Sequence, residues 1–270
     1  MIYNTILHGD CVTIMKEHIP SESIDLIYAD PPYNLSGRDL ILKNNKTGGP
    51  FYKMNEEWDS WDYDKYCEFT YNWLLASYSV LKSNGSLYIS CTYHNIGEVI
   101  FLAKKIGFKL NNILTWVKTN AMPNITKRTF KHTTEFVCWF VKGPGWKFNY
   151  NEIKMLNPRK TKDGSVKQMD DFFDFFEMPL VQGKERIKLD NGRAAHPNQK
   201  PEKLLEIIIT ASSDEGDIVL DPFFGTGTTG VVAERMNRKW IGIEINETYI
   251  EIAKKRIEEE RRKNVQNSFI

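Results

Sequence analysis

The chain has 270 residues, 41% hydrophobic and 26% charged, enough to bury a substantial core as one large domain or a domain with a small elaboration. Its 36 basic and 35 acidic side chains leave a formal charge of +1, so net charge carries no global signal for nucleic acid. Cys11, Cys67, Cys91 and Cys138 form neither a CxxC nor a Cys/His ligand spacing, the pattern of a reduced intracellular protein without a structural metal.

Short β-branched runs alternate with longer helical patterns, the signature of an α/β parallel sheet. In chain order the pattern predicts strands over 5–8 and 24–29, a helix over 64–82, a strand over 86–91, a helix over 96–106, and strands over 112–117 and 135–141. A helix over 201–212, a strand over 217–220, a helix over 228–236, a strand over 239–245 and a helix from 247 to about 263 follow. The helix over 64–82 carries Phe69, Trp73, Leu74 and Leu81 at helical spacing and is expected to end on Ser83-Asn84-Gly85 as a C-terminal cap. Two segments break the alternation: 34–62, polar and rich in Gly and Asn, reads as a mobile loop, and 143–195 mixes basic residues, Gly/Pro breaks and the cluster Phe172, Phe173, Phe175 and Phe176. No apolar run reaches the roughly 18 residues of a membrane helix. The start, MIYNTILHGD, lacks the basic and apolar regions of a signal peptide. A soluble, cytoplasmic protein is expected.

Charge is distributed unevenly. Between 118 and 168 eleven Lys/Arg face three acids, a local +8 against −7 for the rest. A phosphate-facing segment on an acidic enzyme has this asymmetry, and so does a solvated loop kept soluble by lysines.

Three motifs carry chemistry. Asp30-Pro31-Pro32-Tyr33 follows the apolar strand 24–29, at the carboxyl end where open α/β sheets hold their ligands. The prolines fix φ and remove two N–H donors, leaving bare carbonyls beside a carboxylate and an aromatic face: a set suited to holding a planar heterocycle by its amino group. The second, Asp221-Pro222-Phe223-Phe224-Gly225-Thr226-Gly227-Thr228-Thr229, follows a strand and opens a helix, its glycines allowing close approach of a ligand to backbone. Its spacing is not the dinucleotide fingerprint, and no Gly-Lys-Ser/Thr marks a phosphate loop. The third, Trp240-Ile241-Gly242-Ile243-Glu244, ends a strand on an acid about twenty residues later, where a carboxylate can accept both hydroxyls of a ribose.

Together these motifs resemble the amino-methyltransferases of DNA. The order, with the tetrapeptide before the cofactor loop and a variable segment between, resembles their β class. His8-Gly9-Asp10-Cys11 and His196-Pro197-Asn198-Gln199-Lys200-Pro201 extend the match over nearly the whole chain. The resemblance implies an open, mostly parallel doubly wound α/β sheet, the Rossmann-like class I methyltransferase fold, as a single domain over 1–270 in permuted order, with a small target-recognition insertion over 120–195. It implies S-adenosylmethionine as cofactor and DNA as partner, and allows a homodimer and a cognate restriction endonuclease. Asp30 and the Pro31 carbonyl, in the turn fixed by Pro32, would accept hydrogen bonds from the target amine, and Tyr33 would stack on the flipped base. Asp221, Phe223, Gly225 and Gly227 would wrap the methionine part of the cofactor, and Glu244 would hold its ribose. Asp10 and Cys11 would contact its adenine, and Lys200 and Thr228 would lie near its carboxylate. His196 receives no proton-transfer role.

Asn120, Asn124, Lys127, Arg128 and Lys131 have amide and basic side chains able to read base edges and hold phosphates. N6 of adenine is the expected target, since N4-cytosine enzymes of the family usually carry Ser in place of the first Asp. N4 of cytosine is the alternative. RNA or protein-amide methylation fits less well, because those enzymes place the cofactor loop first.

Overall fold

The run IDLIYA forms β2 (Ile24–Ala29), apolar enough to be covered on both faces. The computed structural model describes residues 2–34, 61–118, 127–173, 181, 185–187 and 199–267. Most of the expected loop 34–62, together with Asn120, Asn124, Phe175, Phe176 and His196, lies outside the described residues.

The remaining strands are β1 (Thr5–His8), β3 (Leu81–Cys91), β4 (Lys109–Val117), β5 (Thr134–Val141), β6 (Phe172–Phe173), β7 (Ile218–Asp221) and β8 (Lys239–Glu244). They form one sheet in the order β1-β8-β7-β2-β3-β5-β4-β6. Five of its seven pairings are parallel; only β5, between β3 and β4, runs against its neighbours. The helices are α1 (Cys11–His18), α2 (Tyr63–Val80), α3 (Ile96–Ile106), α4 (Tyr150–Met155), α5 (Glu202–Ser212), α6 (Thr228–Arg235) and α7 (Glu247–Asn267).

Alternate residues of each central strand serve opposite cores. Ile27, Leu87 and Ile89 pack with Met15, Trp73, Leu74, Val99 and Leu102 from α1–α3. Leu26, Tyr28, Tyr88 and Trp139 pack with Leu204, Ile208, Val232 and Ala253 from α5–α7. The sheet is thus doubly wound, as a Rossmann-like fold requires. From β2 the chain proceeds outward through β3, then returns to β7 and continues through β8 on the other side. That reversal puts the carboxyl ends of β2 and β7 side by side, and with them the two loops expected to carry chemistry.

Four features depart from the sequence reading. The helix expected over 64–82 ends at Val80, and Ser83-Asn84-Gly85 lie inside β3 instead of capping it. Fully buried Leu81 pairs with Ile24, and β3 then spends five positions reaching Ser86 where β2 spends two reaching Leu26. The polar triplet is therefore a bulge, and a Cβ at Gly85 would stand 2.7 Å from Leu81. Helix α1 was not anticipated; Asp10 caps it, accepting from the Thr13 amide at 2.9 Å and the Thr13 hydroxyl at 3.0 Å. The segment expected to be irregular holds α4 and β6, each bringing in a buried side chain, Ile153 and Phe173. Helix α7 runs past the expected end near 263, and Arg261 on its charged last turns pairs with Glu234 at 2.9 Å.

Candidate active site

The carboxyl ends of β1, β2, β7 and β8 and the loops after them enclose a cleft of about 400 Å³. One wall is Gly9-Asp10-Cys11, a second Asp30-Pro31-Pro32-Tyr33, a third Pro222, Phe223 and Gly225, and the floor is Ile243-Glu244-Ile245-Asn246 with Tyr249. Trp61 and Phe69 complete it. Their rings meet edge-on at 4.4 Å, and Phe223 packs against Phe69 at 6.2 Å and Trp73 at 5.4 Å, giving an aromatic side for a planar group. The Trp61 amide donates to Asn34 Oδ1 at 2.8 Å, tying the residue after the tetrapeptide to the start of the segment that leads into α2.

Glu244 stands where β8 ends. Its Oε2 accepts from the Gly225 amide at 2.7 Å, and its Oε1 from the Ile245 and Asn246 amides at 3.0 and 2.8 Å. Burial pushes this carboxyl above its usual range, and those three N–H groups oppose the shift. A half-buried carboxylate with a lone pair of Oε2 to spare at the end of a strand, next to an aromatic wall and a glycine loop, suits the ribose and base of a nucleoside cofactor.

The glycine loop is organised from beneath by Asp221. Its Oδ1 accepts from the Phe223 amide at 2.9 Å and its Oδ2 from the Thr229 hydroxyl at 2.5 Å. Burial raises its carboxyl to about 7, despite those bonds, with the charges of Asp30 and Glu244 adding to the effect. Gly227 adopts the left-handed conformation at φ 81° and lies against α7, where a Cβ would approach Ala253 to 2.7 Å. The Thr228 hydroxyl accepts from Arg256 at 3.1 Å.

The nine residues expected to hold the cofactor therefore divide. Asp10, Cys11, Phe223, Gly225 and Glu244 line the cleft. Lys200, Asp221 and Thr228 line a cavity of about 30 Å³ behind the glycine loop, which shares Asp30, Phe223 and Gly225 with the cleft, and Gly227 lines neither. Burial, reinforced by Asp10, pushes the Cys11 thiol far up, and burial does the same to Cys91. Both remain thiols at neutral pH, so neither is a nucleophile.

At the tetrapeptide the carboxylate of Asp30 has two partners. The Tyr33 hydroxyl donates to Oδ1 in a short bond, and Lys200 Nζ donates to Oδ2 at 2.9 Å. Lys200 also donates to the Tyr33 hydroxyl at 2.9 Å. Burial and the charge of Asp30 push the Tyr33 phenol well up, which keeps it a proton donor. Behind Lys200 stands Glu135, with Oε2 at 3.8 Å from its ammonium and Oε1 bonded to Lys118. Burial works against ionisation of Glu135, but Lys200 and Lys118 outweigh it and hold the carboxyl below its usual value.

Sequence reasoning missed Glu135, Lys118, Trp61 and Phe69. For Glu135 a signal existed: of the three acids in the basic stretch, it alone opens an apolar strand. Lys127, Arg128 and Lys131 are exposed in the turn before β5. Since β5 runs antiparallel to β3, with Phe136 opposite Cys91, this turn emerges at the carboxyl edge that carries Asp30. Phe130 among them is 95% exposed, and the Tyr93 ring beyond β3 stacks on His132 at 4.0 Å.

An open α/β sheet with a nucleoside-shaped cleft at its switch point, and an anchored carboxylate on the rim, defines a Rossmann-like group-transfer enzyme. Comparison with known proteins makes this specific. A family model described as DNA methylase, of N6/N4 type, matches residues 24–255. The type II methyltransferase M.HinfI of Haemophilus influenzae is 41% identical over 262 residues, spanning 95% of this chain and 68% of that protein. The type II methyltransferase M2.DpnII of Streptococcus pneumoniae is 39% identical over 264 residues, 96% of this chain and 91% of that one. The crystal structure of the M1.HpyAVI–SAM complex superposes with a TM-score of 0.64 at 28% identity, covering 94% of this chain and 98% of that one. The chain belongs to the N6/N4 DNA methylase family.

Proposed function

We propose that the protein methylates N6 of adenine at a specific site in duplex DNA, as a β-class enzyme. One observation carries the reading: the Asp30 carboxylate and the cleft floored by Glu244 share a single cavity, so an amine held by the tetrapeptide lies beside the cofactor site. S-adenosylmethionine, when bound, supplies a methyl group already activated by its sulfonium. The protein's task is the nucleophile, whose lone pair is delocalised into the base. Asp30 and the Pro31 carbonyl accept hydrogen bonds from the two N–H groups. That favours a pyramidal nitrogen and offsets the positive charge developing on it. Pro32 stiffens the turn, and Tyr33 offers its ring to the extruded base, offsetting part of the few kcal/mol that flipping costs.

Glu244 holds the ribose hydroxyls, Asp10 and Cys11 border the adenine, and Phe223 and Gly225 flank the methionine part, with Asp221, Gly227 and Thr228 shaping the loop. Aspartate at position 30 favours adenine over N4 of cytosine, which the same family accommodates. Lys127, Arg128 and Lys131, at the catalytic edge, hold phosphates, with Asn120 and Asn124 assigned to base reading. The type II relatives support a modification enzyme acting in the cytoplasm alongside a restriction endonuclease. The test is labelled cofactor with unmethylated DNA, RNA and protein, followed by nucleoside analysis; N4-methylcytosine, or label in RNA or protein alone, would refute the adenine reading.

A further inference from the structure

We propose that Lys200 and Glu135 serve Asp30 and not the cofactor: they are a buried positioning pair that fixes the catalytic carboxylate. The proposal rests on Asp30 being the acceptor of the target amine. Lys200 is 5% exposed, and an ammonium removed from water demands full compensation. It has three N–H groups and no acceptor. Two donate to Asp30 Oδ2 and the Tyr33 hydroxyl, each at 2.9 Å, and Glu135 Oε2 stands 3.8 Å away. Two of its three N–H groups are thus committed to the tetrapeptide and the third faces Glu135. Lys200 does not line the main cleft.

The charges alternate outward from the cleft: Asp30, Lys200, Glu135, then Lys118 at the end of β4. They cancel in pairs. Asp30 follows β2, Glu135 opens β5 and Lys200 precedes α5, so three separate segments converge on one carboxylate. A buried ion pair contributes little net stability over an apolar filling of the same shape. It does impose direction. With Oδ2 tied to Lys200 and Oδ1 to the Tyr33 hydroxyl, both oxygens are anchored, and the remaining lone pairs keep one orientation toward the cleft. Glu135 performs the same service for Lys200, holding the ammonium against Asp30 instead of letting it swing toward a bound anion. Orientation errors of about 1 Å cost roughly a hundredfold in rate.

The experiment uses the full chain and the substitutions Lys200→Met, Lys200→Arg and Glu135→Gln. Two quantities are read: the dissociation constant for S-adenosylmethionine by calorimetry, and the single-turnover methylation rate on duplex DNA at saturating cofactor. Lys200→Met is expected to bind cofactor within about threefold of the parent and to lose about a hundredfold in rate. Lys200→Arg recovers most of that loss, and Glu135→Gln loses roughly tenfold in rate with cofactor affinity within threefold of the parent. A Lys200→Met protein that binds cofactor ten times more weakly, yet turns over normally once saturated, overturns the proposal. A Glu135→Gln protein as fast as the parent does so too. If Lys200→Met does not fold, Lys200→Arg and the near-isosteric Glu135→Gln decide the matter. The base methylated by the parent enzyme is determined separately, so a cytosine product would refute the adenine reading while leaving this comparison intact.

Discussion

Asp221 is an acid whose burial has a measurable consequence for stability. Its carboxyl is raised from 3.8 to about 7 in the folded chain, while the unfolded chain titrates it near the ordinary value. The folded state therefore binds the extra proton between these values, and stability falls as pH rises through that window. Each unit corresponds to about 1.4 kcal/mol, so between pH 5 and pH 8 this group alone costs about 2–3 kcal/mol. Asp221→Asn keeps the geometry: the amide oxygen accepts from Phe223 N, and the NH₂ donates to the Thr229 hydroxyl in place of the present bond. It removes the titration. Urea melts of the cofactor-free parent and the variant, run in parallel from pH 5 to pH 8, cancel the contribution of the other groups to first order. The variant's advantage is expected to grow with pH and to level off above about 7. A difference that stays flat across the range would show that Asp221 is already ionised in the folded protein, and the reasoning from burial would be wrong.

Asp30→Ala is expected to abolish methyl transfer while leaving S-adenosylmethionine binding within a few fold, measured by calorimetry beside a radiolabel assay; transfer at a near-normal rate would remove Asp30 from the mechanism. Tyr33→Ala should be slower than Tyr33→Phe, because the ring face is lost. Tyr33→Phe should itself fall below the parent by about tenfold, since it deletes the hydroxyl donated to Asp30 Oδ1; single-turnover rates equal for all three proteins would reject both effects. Neutral replacement of Lys127, Arg128 and Lys131 together should weaken duplex binding and lower the slope of log affinity against log salt by up to about 3. Fluorescence anisotropy over a salt series checks this, and superimposable curves would place DNA elsewhere.

The elements most legible in the sequence were those whose reasons are local. The run IDLIYA reads as a buried strand wherever it falls, and Gly225 and Gly227 after a strand read as a ligand loop because close backbone approach needs them. Ser83-Asn84-Gly85 misled for a local reason too: a polar triplet with glycine is a good helix cap, and only the pairing of Leu81 with Ile24 turns it into a bulge. Helix α1 and strand β6 are short elements, stabilised by the Asp10 cap and by the partnership of Phe173 with Trp116; neither leaves a periodic pattern long enough to detect. Lys200 shows the limit most clearly. A motif located it near the site, but that it faces Asp30 with Glu135 behind it depends on how the sheet brings the ends of β2 and β5 together.

Asp30 and Asp221 lie 191 positions apart, yet Asp30 follows β2 and Asp221 ends β7, adjacent strands that run side by side through Leu26–Val219 and Ile27–Leu220. In an open parallel sheet, the requirement on such loops is adjacency at the switch point, and the order in which the chain visits the two strands is free. A permuted order therefore needs no altered chemistry. It needs only that the intervening segment leave β3, complete the antiparallel β4–β5 extension and return to β7. That detour is where the basic turn around Arg128 emerges, at the same edge as Asp30. That turn is continuous with the strand that carries Glu135. The 127–133 turn leads directly into Glu135, which stands 3.8 Å from Lys200.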